Sequence, residues 1–320
     1  MNLFIRNAKK VVVMATVFAS FSGIFVRLIN AGAIAIGFYR LTFAVPFFAA
    51  AVLMKHREEL RALTLKQAAG CVLGGLFLAG HYFSLFTAVS HTTIASAVML
   101  CNISPIIILI ISALFFHERA TGKAILGVAI TLAGAAIITG GDYSFSGEAV
   151  YGDIMAFFGA LFYALYFLVG RKMRKTINTP VYVFFVFTTC WAVFLVGMIV
   201  TKTPFRGYSS MDFIYLFAFA MVCSIGAHAI FNWSLAHVSP LYLSTIGTGE
   251  VIFAASWAAL IFGEIPNIWQ WVGGAITICG LLYFNYHDME TNNTREPDRG
   301  GIKKQVSLRT DRRPDSEKRD

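Results

Sequence analysis

Ten apolar segments reach or approach the roughly 20 residues that a helix needs to cross a bilayer. They run from Val11 to Ile29, Ala33 to Met54, Gln67 to Val89, Thr92 to Phe116 and Lys123 to Gly140, then from Tyr151 to Gly170, Pro180 to Val200, Asp212 to His237, Ser239 to Phe262 and Ile268 to Tyr286. A soluble core has no room for them. The chain is 57% hydrophobic and 13% charged, whereas soluble domains carry about 25% charged residues. These numbers predict an all-α polytopic membrane protein of ten transmembrane helices. Turn chemistry agrees: Gly140-Gly141-Asp142 ends the fifth segment, and Thr203-Pro204 lies between the seventh and eighth. The basic start before Val11 resembles a signal-peptide n-region, but its apolar run is too long and a second span follows closely, so it reads as a first membrane helix.

Lys and Arg set the orientation. With the amino terminus inside, cytoplasmic segments hold 22 of the 26 basic residues; the outer loops hold Lys202 and Arg206, and Arg27 and Arg40 lie within spans. This bias places both termini in the cytoplasm, here of a bacterial cytoplasmic membrane. The net charge of +9 therefore orients the chain and is no nucleic-acid footprint. Connections are short and leave no room for a soluble catalytic domain. The tail 287–320 mixes nine basic with eight acidic residues and reads as a disordered cytoplasmic extension. Cys71, Cys101, Cys190, Cys223 and Cys279 stand singly in or beside spans, with no disulfide or metal spacing.

Two stretches repeat at an offset of 146 residues. Glu118, Gly127, Ala129-Ile130-Thr131 and Gly134 match Glu264, Gly273, Ala275-Ile276-Thr277 and Gly280. Five spans lie on either side of the midpoint. An odd number per half turns the second half upside down, the inverted-repeat plan of many secondary transporters.

The run Ser104-Pro105-Ile106 through Phe115-Phe116-His117-Glu118-Arg119, leading to Gly127 and Gly134, resembles the fourth and fifth helices of an EamA domain. Glu250-Val251 through Phe262-Gly263-Glu264 resembles the same signature in a second domain. Phe38-Tyr39-Arg40, Gly152-Asp153 and Tyr163 to Arg171 fit as well, so the resemblance covers roughly residues 11 to 286. It implies the drug/metabolite transporter superfamily, with two EamA domains at 11–140 and 151–286 around a central substrate cavity. Members move small metabolites and are commonly exporters. In one departure, Val251 stands where the second domain often has Pro after the Glu.

Ionisable groups inside a span are expensive and mark functional positions. Glu250 falls near the middle of the ninth span; it could bind a proton or a substrate ammonium, or be a structural partner of Arg40. Arg40, in the outer part of the second span, could hold a substrate carboxylate. Arg27, near the outer end of the first, could snorkel to the interface. His81 and His228, 147 residues apart, could bind substrate or relay protons, or could simply hydrogen-bond a neighbouring helix. Asn232 shares a helix face with His228. Tyr39, Tyr82, Tyr163, Tyr166, Trp233, Tyr242 and Trp257 are aromatic candidates. Tyr242, Ile246, Glu250, Phe253 and Trp257 recur at helical spacing, so one face of the ninth helix would join the acid to rings suited to a cation. For any single ring, ordinary bundle packing is the better reading. Glu118 and Glu264 read as structural, capping the next helix or pairing with a loop cation.

No Walker, His-Glu-x-x-His or GxSxG motif occurs. The expectation is a secondary transporter, not an enzyme, that needs no cofactor. It would move a small polar organic metabolite such as an amino acid outward, with proton coupling through Glu250. Its partners would be substrate, protons and the lipid bilayer; monomer and homodimer stay open. An uptake or exchange carrier is the alternative of the same fold, and a receptor or scaffold without flux the alternative of another class.

Overall fold

In a computed structural model, which describes residues 8–116, 122–143, 147–238, 243, 246–247 and 249–295, the apolar segments fold as helices, and the described residues contain no strand. The first part of the chain forms α1 (Ala8–Ala19), α2 (Ser22–Leu28), α3 (Ala33–Lys55), α4 (Arg57–Ala62), α5 (Leu65–His91), α6 (Ile94–Cys101), α7 (Ser104–Phe116) and α8 (Gly122–Tyr143). The second forms α9 (Gly147–Met173), α10 (Thr179–Val200), α11 (Ser210–Phe219), a π-helix (Ala220–Ala229), α12 (Ile230–Ser234), α13 (Glu250–Phe262) and α14 (Ile268–Arg295).

Seven helical stretches are long and apolar enough to cross a membrane: Val11–Leu28, Ala33–Lys55, Leu65–His91, Ile94–Ile111, Gly147–Met173, Thr179–Val200 and Ser210–Ser234. The other three expected spans coincide with shorter apolar helices, Ile125–Ile138, Glu250–Phe262 and Ile268–Phe284. Side chains cap several starts. Thr64 and Gln67 form a capping box before α5, and Ser209 and Asp212 form another before α11. Asp212 also accepts the backbone N–H of Asn30 at 2.9 Å, which ties the turn after α2 to the start of α11. Outward faces carry exposed Val196, Ile214, Leu260 and Leu282. Such apolar surface suits lipid and no aqueous face.

The expected spans are less continuous than their hydropathy suggests. The fourth breaks between Cys101 and Ser104. Pro105 explains this, because it has no N–H to give the carbonyl of Cys101. The ninth contains a turn at Gly249, so Glu250 opens α13 and does not sit inside an unbroken helix. Gly247 and Gly249 lower the helix propensity there. The eighth carries the ten-residue π-helix. α14 continues past His287 to Arg295, beyond the point where the sequence ended the last span. Glu118, Tyr242 and Thr248 lie outside the described residues.

The 146-residue repeat packs against itself. α8 and α14 run antiparallel along one another. A Cβ on Gly134 would meet Thr277 Oγ1 at 2.4 Å and the Gly273 carbonyl oxygen at 2.6 Å; one on Gly280 would meet Thr131 Oγ1 at 2.5 Å and the Gly127 carbonyl oxygen at 3.0 Å. The contacts are reciprocal: Gly134 meets Gly273 and Thr277 as Gly280 meets Gly127 and Thr131, which is what a local two-fold relation requires. Small residues let the backbones approach without lipid between them.

Candidate functional site

The helix breaks meet at the centre of the bundle. Asn102 ends α6 and Gly249 precedes α13; they stand 147 residues apart, the same offset as His81 and His228. A cavity of about 30 Å³ lies here, walled by His81, Cys101, Asn102, Tyr163, His228 and Glu250, with Leu85, Val98 and Phe231 among its apolar lining. A second, of about 10 Å³, shares Asn102, Tyr163, Phe231 and Glu250 and extends to Ser104, Phe167, Leu243 and Gly247. One water needs about 10–15 Å³ measured this way, so the space holds water and no organic molecule. Broken helices around a central polar site are the usual construction of secondary carriers.

Glu250 faces both cavities and has no hydrogen-bond or ion-pair partner among the described residues. Its place in the first turn of α13 puts the carboxylate at the positive end of the helix dipole. His81 Nδ1 lies 3.0 Å from the carbonyl oxygen of Gly159. A carbonyl only accepts, so Nδ1 donates and Nε2 is left as the other ring nitrogen in play. The ring stacks on Tyr163 with centroids 4.4 Å apart. His228 stands 6.5 Å from His81, edge-on to Tyr82 at 5.2 Å. Its Nδ1 is buried with no hydrogen-bond partner among the described residues. The π-helix positions it, and π-turns recur where a side chain is re-aimed for function.

Arg40 is fully buried. Its Nε donates to Ser224 Oγ at 2.7 Å, and Nη2 lies 3.4 Å from the Tyr82 hydroxyl oxygen. The guanidinium sits between the rings of Tyr82 and Phe219, at 4.3 and 4.1 Å from their centroids. Nη1 has no hydrogen-bond partner among the described residues. Arg40 and Glu250 form no ion pair, and Arg40 lines neither cavity; Tyr82, against which His228 packs, is its own partner. The cation therefore acts on the site through its field and by holding Tyr82. Lysine cannot replace a plane held between two rings. Arg40→Lys is expected to cost about 2 kcal/mol, the scale of a desolvated cation–ring contact. The check is thermal unfolding of the detergent-solubilised protein, where an unchanged midpoint would refute it.

Two candidates sit elsewhere. Asn232 is spent on structure: its Nδ2 donates to the His228 carbonyl at 2.7 Å, and its Oδ1 accepts the Tyr166 hydroxyl at 2.7 Å. Trp257 stacks on Phe21 at 4.9 Å and donates Nε1–H to Ser20 Oγ at 3.2 Å, away from both cavities. Phe253 is partly exposed, so the aromatic face expected on the ninth helix does not form around Glu250. Trp257→Phe is expected to change apparent substrate affinity by less than about twofold, since it removes one neutral hydrogen bond remote from the cavity; a tenfold change in a flux assay would return Trp257 to the site. Cys101 and Asn102 were not singled out as site residues. Pro105 is the sequence signal that could have found them.

One end of the bundle is tied by charge. Arg27 Nη1 contacts Glu264 Oε1 at 2.6 Å, and Nη2 donates to the carbonyls of Val89 and Thr92 at 2.8 and 3.0 Å. Glu264 Oε2 accepts the backbone N–H of Ile94 at 3.3 Å. Arg27 is thus held by protein and does not reach out to an interface. Glu264 gets there through Gly263, whose left-handed φ of 68° ends α13 and turns the chain back.

Apolar helices of membrane length, a self-packing repeat and a polar centre between broken helices define a polytopic membrane carrier. The chain belongs to the EamA-like transporter family, whose model matches it twice, over residues 10–140 and 150–286. It is therefore a membrane transporter of the drug/metabolite type. It is 22% identical to the transporter YxxF of Bacillus subtilis, over 85% of this chain and 87% of that one. It is 23% identical to a transporter of Archaeoglobus fulgidus, over 77% and 85%. It is also 23% identical to the pseudopaline exporter CntI of Pseudomonas aeruginosa, over 66% and 71%. A crystal structure sharing 18% identity superposes with a TM-score of 0.63 over 87% of this chain and 97% of its own, which shows a common fold.

Proposed function

We propose that the chain exports a small polar organic metabolite, such as an amino acid or related compound, by alternating access, with Glu250 as the group that binds substrate and proton. The observation that carries this reading is the Glu250 carboxyl, which faces the cavity between the broken helices and is partnered by no described residue. A carboxylate left open toward water-sized space has a ligand still to bind, and an ammonium or a proton meets that need. His81 and Tyr163 supply an aromatic and hydrogen-bonding wall beside it, His228 and Tyr82 the wall behind. Direction is argued from the exporter named among the relatives.

The two halves, 11–140 and 151–286, act in this reading as inverted five-helix repeats, making ten spans with both termini in the cytoplasm of a bacterial cytoplasmic membrane. The reciprocal antiparallel contact of α8 with α14 and the one-sided Lys and Arg support it. The tail beyond His287 stays on the cytoplasmic side. The test is flux in reconstituted vesicles against amino acids, organic cations and sugar derivatives. Saturable flux of an amine-bearing metabolite, accelerated by a proton gradient, is the expected result. Binding without flux would make the chain a receptor, and flux insensitive to pH would remove the proton.

A further inference from the structure

We infer that Arg27 and Glu264, with the backbone of Val89, Thr92 and Ile94, form the outer gate of the transport path, and that this gate is shut in the present structure. The inference rests on the alternating-access reading and adds the residues that close one end. Arg27, Val89, Thr92 and Ile94 belong to the first half of the chain and Glu264 to the second, so the contact latches the two halves together. All five stand at helix ends on the side that the Lys and Arg distribution makes external.

The charges are doubly complemented. The Arg27 guanidinium sits at the carbonyl end of α5, where the helix dipole is negative, and gives two hydrogen bonds to carbonyls there. The Glu264 carboxylate sits at the N–H end of α6, where it is positive, and accepts from Ile94. Arg27 therefore keeps its carbonyl partners within the first half, while Glu264 reaches across to both Arg27 and Ile94. The side chains are 34% and 20% exposed, so water can solvate the ions when they part, and opening carries no burial penalty for a stranded charge. That combination suits a contact made and broken in every cycle.

The opposite end is built from the same repeat but is tied by neutral donors: Glu59 accepts from the backbone N–H and Nδ2 of Asn178 at 2.7 Å each, and Gln67 Nε2 donates to Thr176 Oγ1 at 3.2 Å. Arg174, 147 residues after Arg27, donates to the carbonyl of Asn232 at 3.0 Å, near the end of α12. It also bonds the Ile177 carbonyl and Thr179 Oγ1. Among the described residues it has no carboxylate within ion-pair distance. Among the described residues, Arg174 bonds within the second half, whereas Arg27 bonds across the halves. Glu250 lines both cavities: the smaller reaches Phe167 and Leu243 on the cytoplasmic side, and the larger reaches Ser22, Leu85 and Val98 on the outer side, beneath the latch.

Cys101 gives a native reporter. It is a free thiol, buried, in the cavity wall. In intact cells, a membrane-impermeant thiol reagent is expected to spare Cys101, with labelling scored as the part that disappears in Cys101→Ala. Arg27→Ala and Glu264→Gln are each expected to speed that labelling by about tenfold or more, as the open population rises. The charge swap Arg27→Glu with Glu264→Arg should restore protection partly, and it guards against reading a misfolded single variant as an open one. Unchanged labelling in both single variants would overturn the gate; so would faster labelling only from the cytoplasmic face in inverted vesicles. The readout needs no substrate, so a failed flux panel leaves it standing, and normal flux with unaltered protection overturns the gate alone.

Discussion

Glu250→Gln is expected to leave the protein folded and to abolish the dependence of transport on a proton gradient. Glutamine keeps the size of the side chain and its place in the first turn of α13, and no described residue loses a partner, because none is bonded to the carboxylate. What disappears is the exchangeable proton and the negative charge. A buried charge contact to a substrate ammonium is worth about 2–5 kcal/mol when one partner is removed. That predicts affinity for an amine-bearing substrate lower by about 30-fold or more. Glu250→Asp retains the charge on a shorter arm and should keep gradient-driven flux at a reduced rate. The measurement is uptake of labelled substrate into reconstituted vesicles across a series of imposed pH gradients. If Glu250→Gln responds to the gradient as the unmodified protein does, the carboxyl is not the coupling group. If it binds substrate equally well, the ammonium contact is wrong too.

The candidate site shows what a sequence of this kind reveals. His81 and His228 were placed as repeat-related by their spacing alone, and their rings stand 6.5 Å apart. Glu250 was singled out by the cost of an acid at depth, and it faces the cavity. Neither inference needed to know which way a helix faces. Where facing mattered, the sequence was silent, because a helix apolar all round has no stripe to orient it. Thus Trp257 and Asn232, both at helical spacing from a candidate, turned out to be spent on Ser20, Phe21 and Tyr166. Arg27 and Glu264 each stand out in the sequence, but nothing in a separation of 237 residues says that they meet. The breaks at Asn102 and Gly249 were hidden for another reason: hydropathy averages over a span and cannot register one missing hydrogen bond. Pro105 and the pair Gly247 and Gly249 were the local signs. The π-helix before Ile230 had no specific sign: Gly226 and its β-branched neighbours weaken a helix but do not say that it winds wider.

Gly134→Ala is expected to be among the most damaging single-atom additions in this chain. The new methyl would lie 2.4–2.6 Å from Thr277 Oγ1, the Thr277 backbone nitrogen and the Gly273 carbonyl oxygen. Two of those three are main-chain atoms of α14 and cannot rotate away, so α8 and α14 have to part. Overpacking a core commonly costs about 1–3 kcal/mol where side chains can shift, and the upper part of that range is the expectation where backbone must shift. In a bilayer the loss is compounded, because lipid competes for the faces that separate and only close packing and hydrogen bonds hold them. The two-fold relation makes a sharper claim: Gly280→Ala meets Thr131 and Gly127 as Gly134→Ala meets Thr277 and Gly273, so the two should cost similar amounts. Gly122→Ala, with nothing within 4 Å of its added carbon, should be harmless. Monodisperse yield after detergent extraction and the midpoint of thermal unfolding measure all three. Equal behaviour of Gly134→Ala and Gly122→Ala would mean that the repeat's glycines do not set the helix separation. Damage confined to one of Gly134 and Gly280 would mean that the two motifs, alike in sequence, do not carry alike loads.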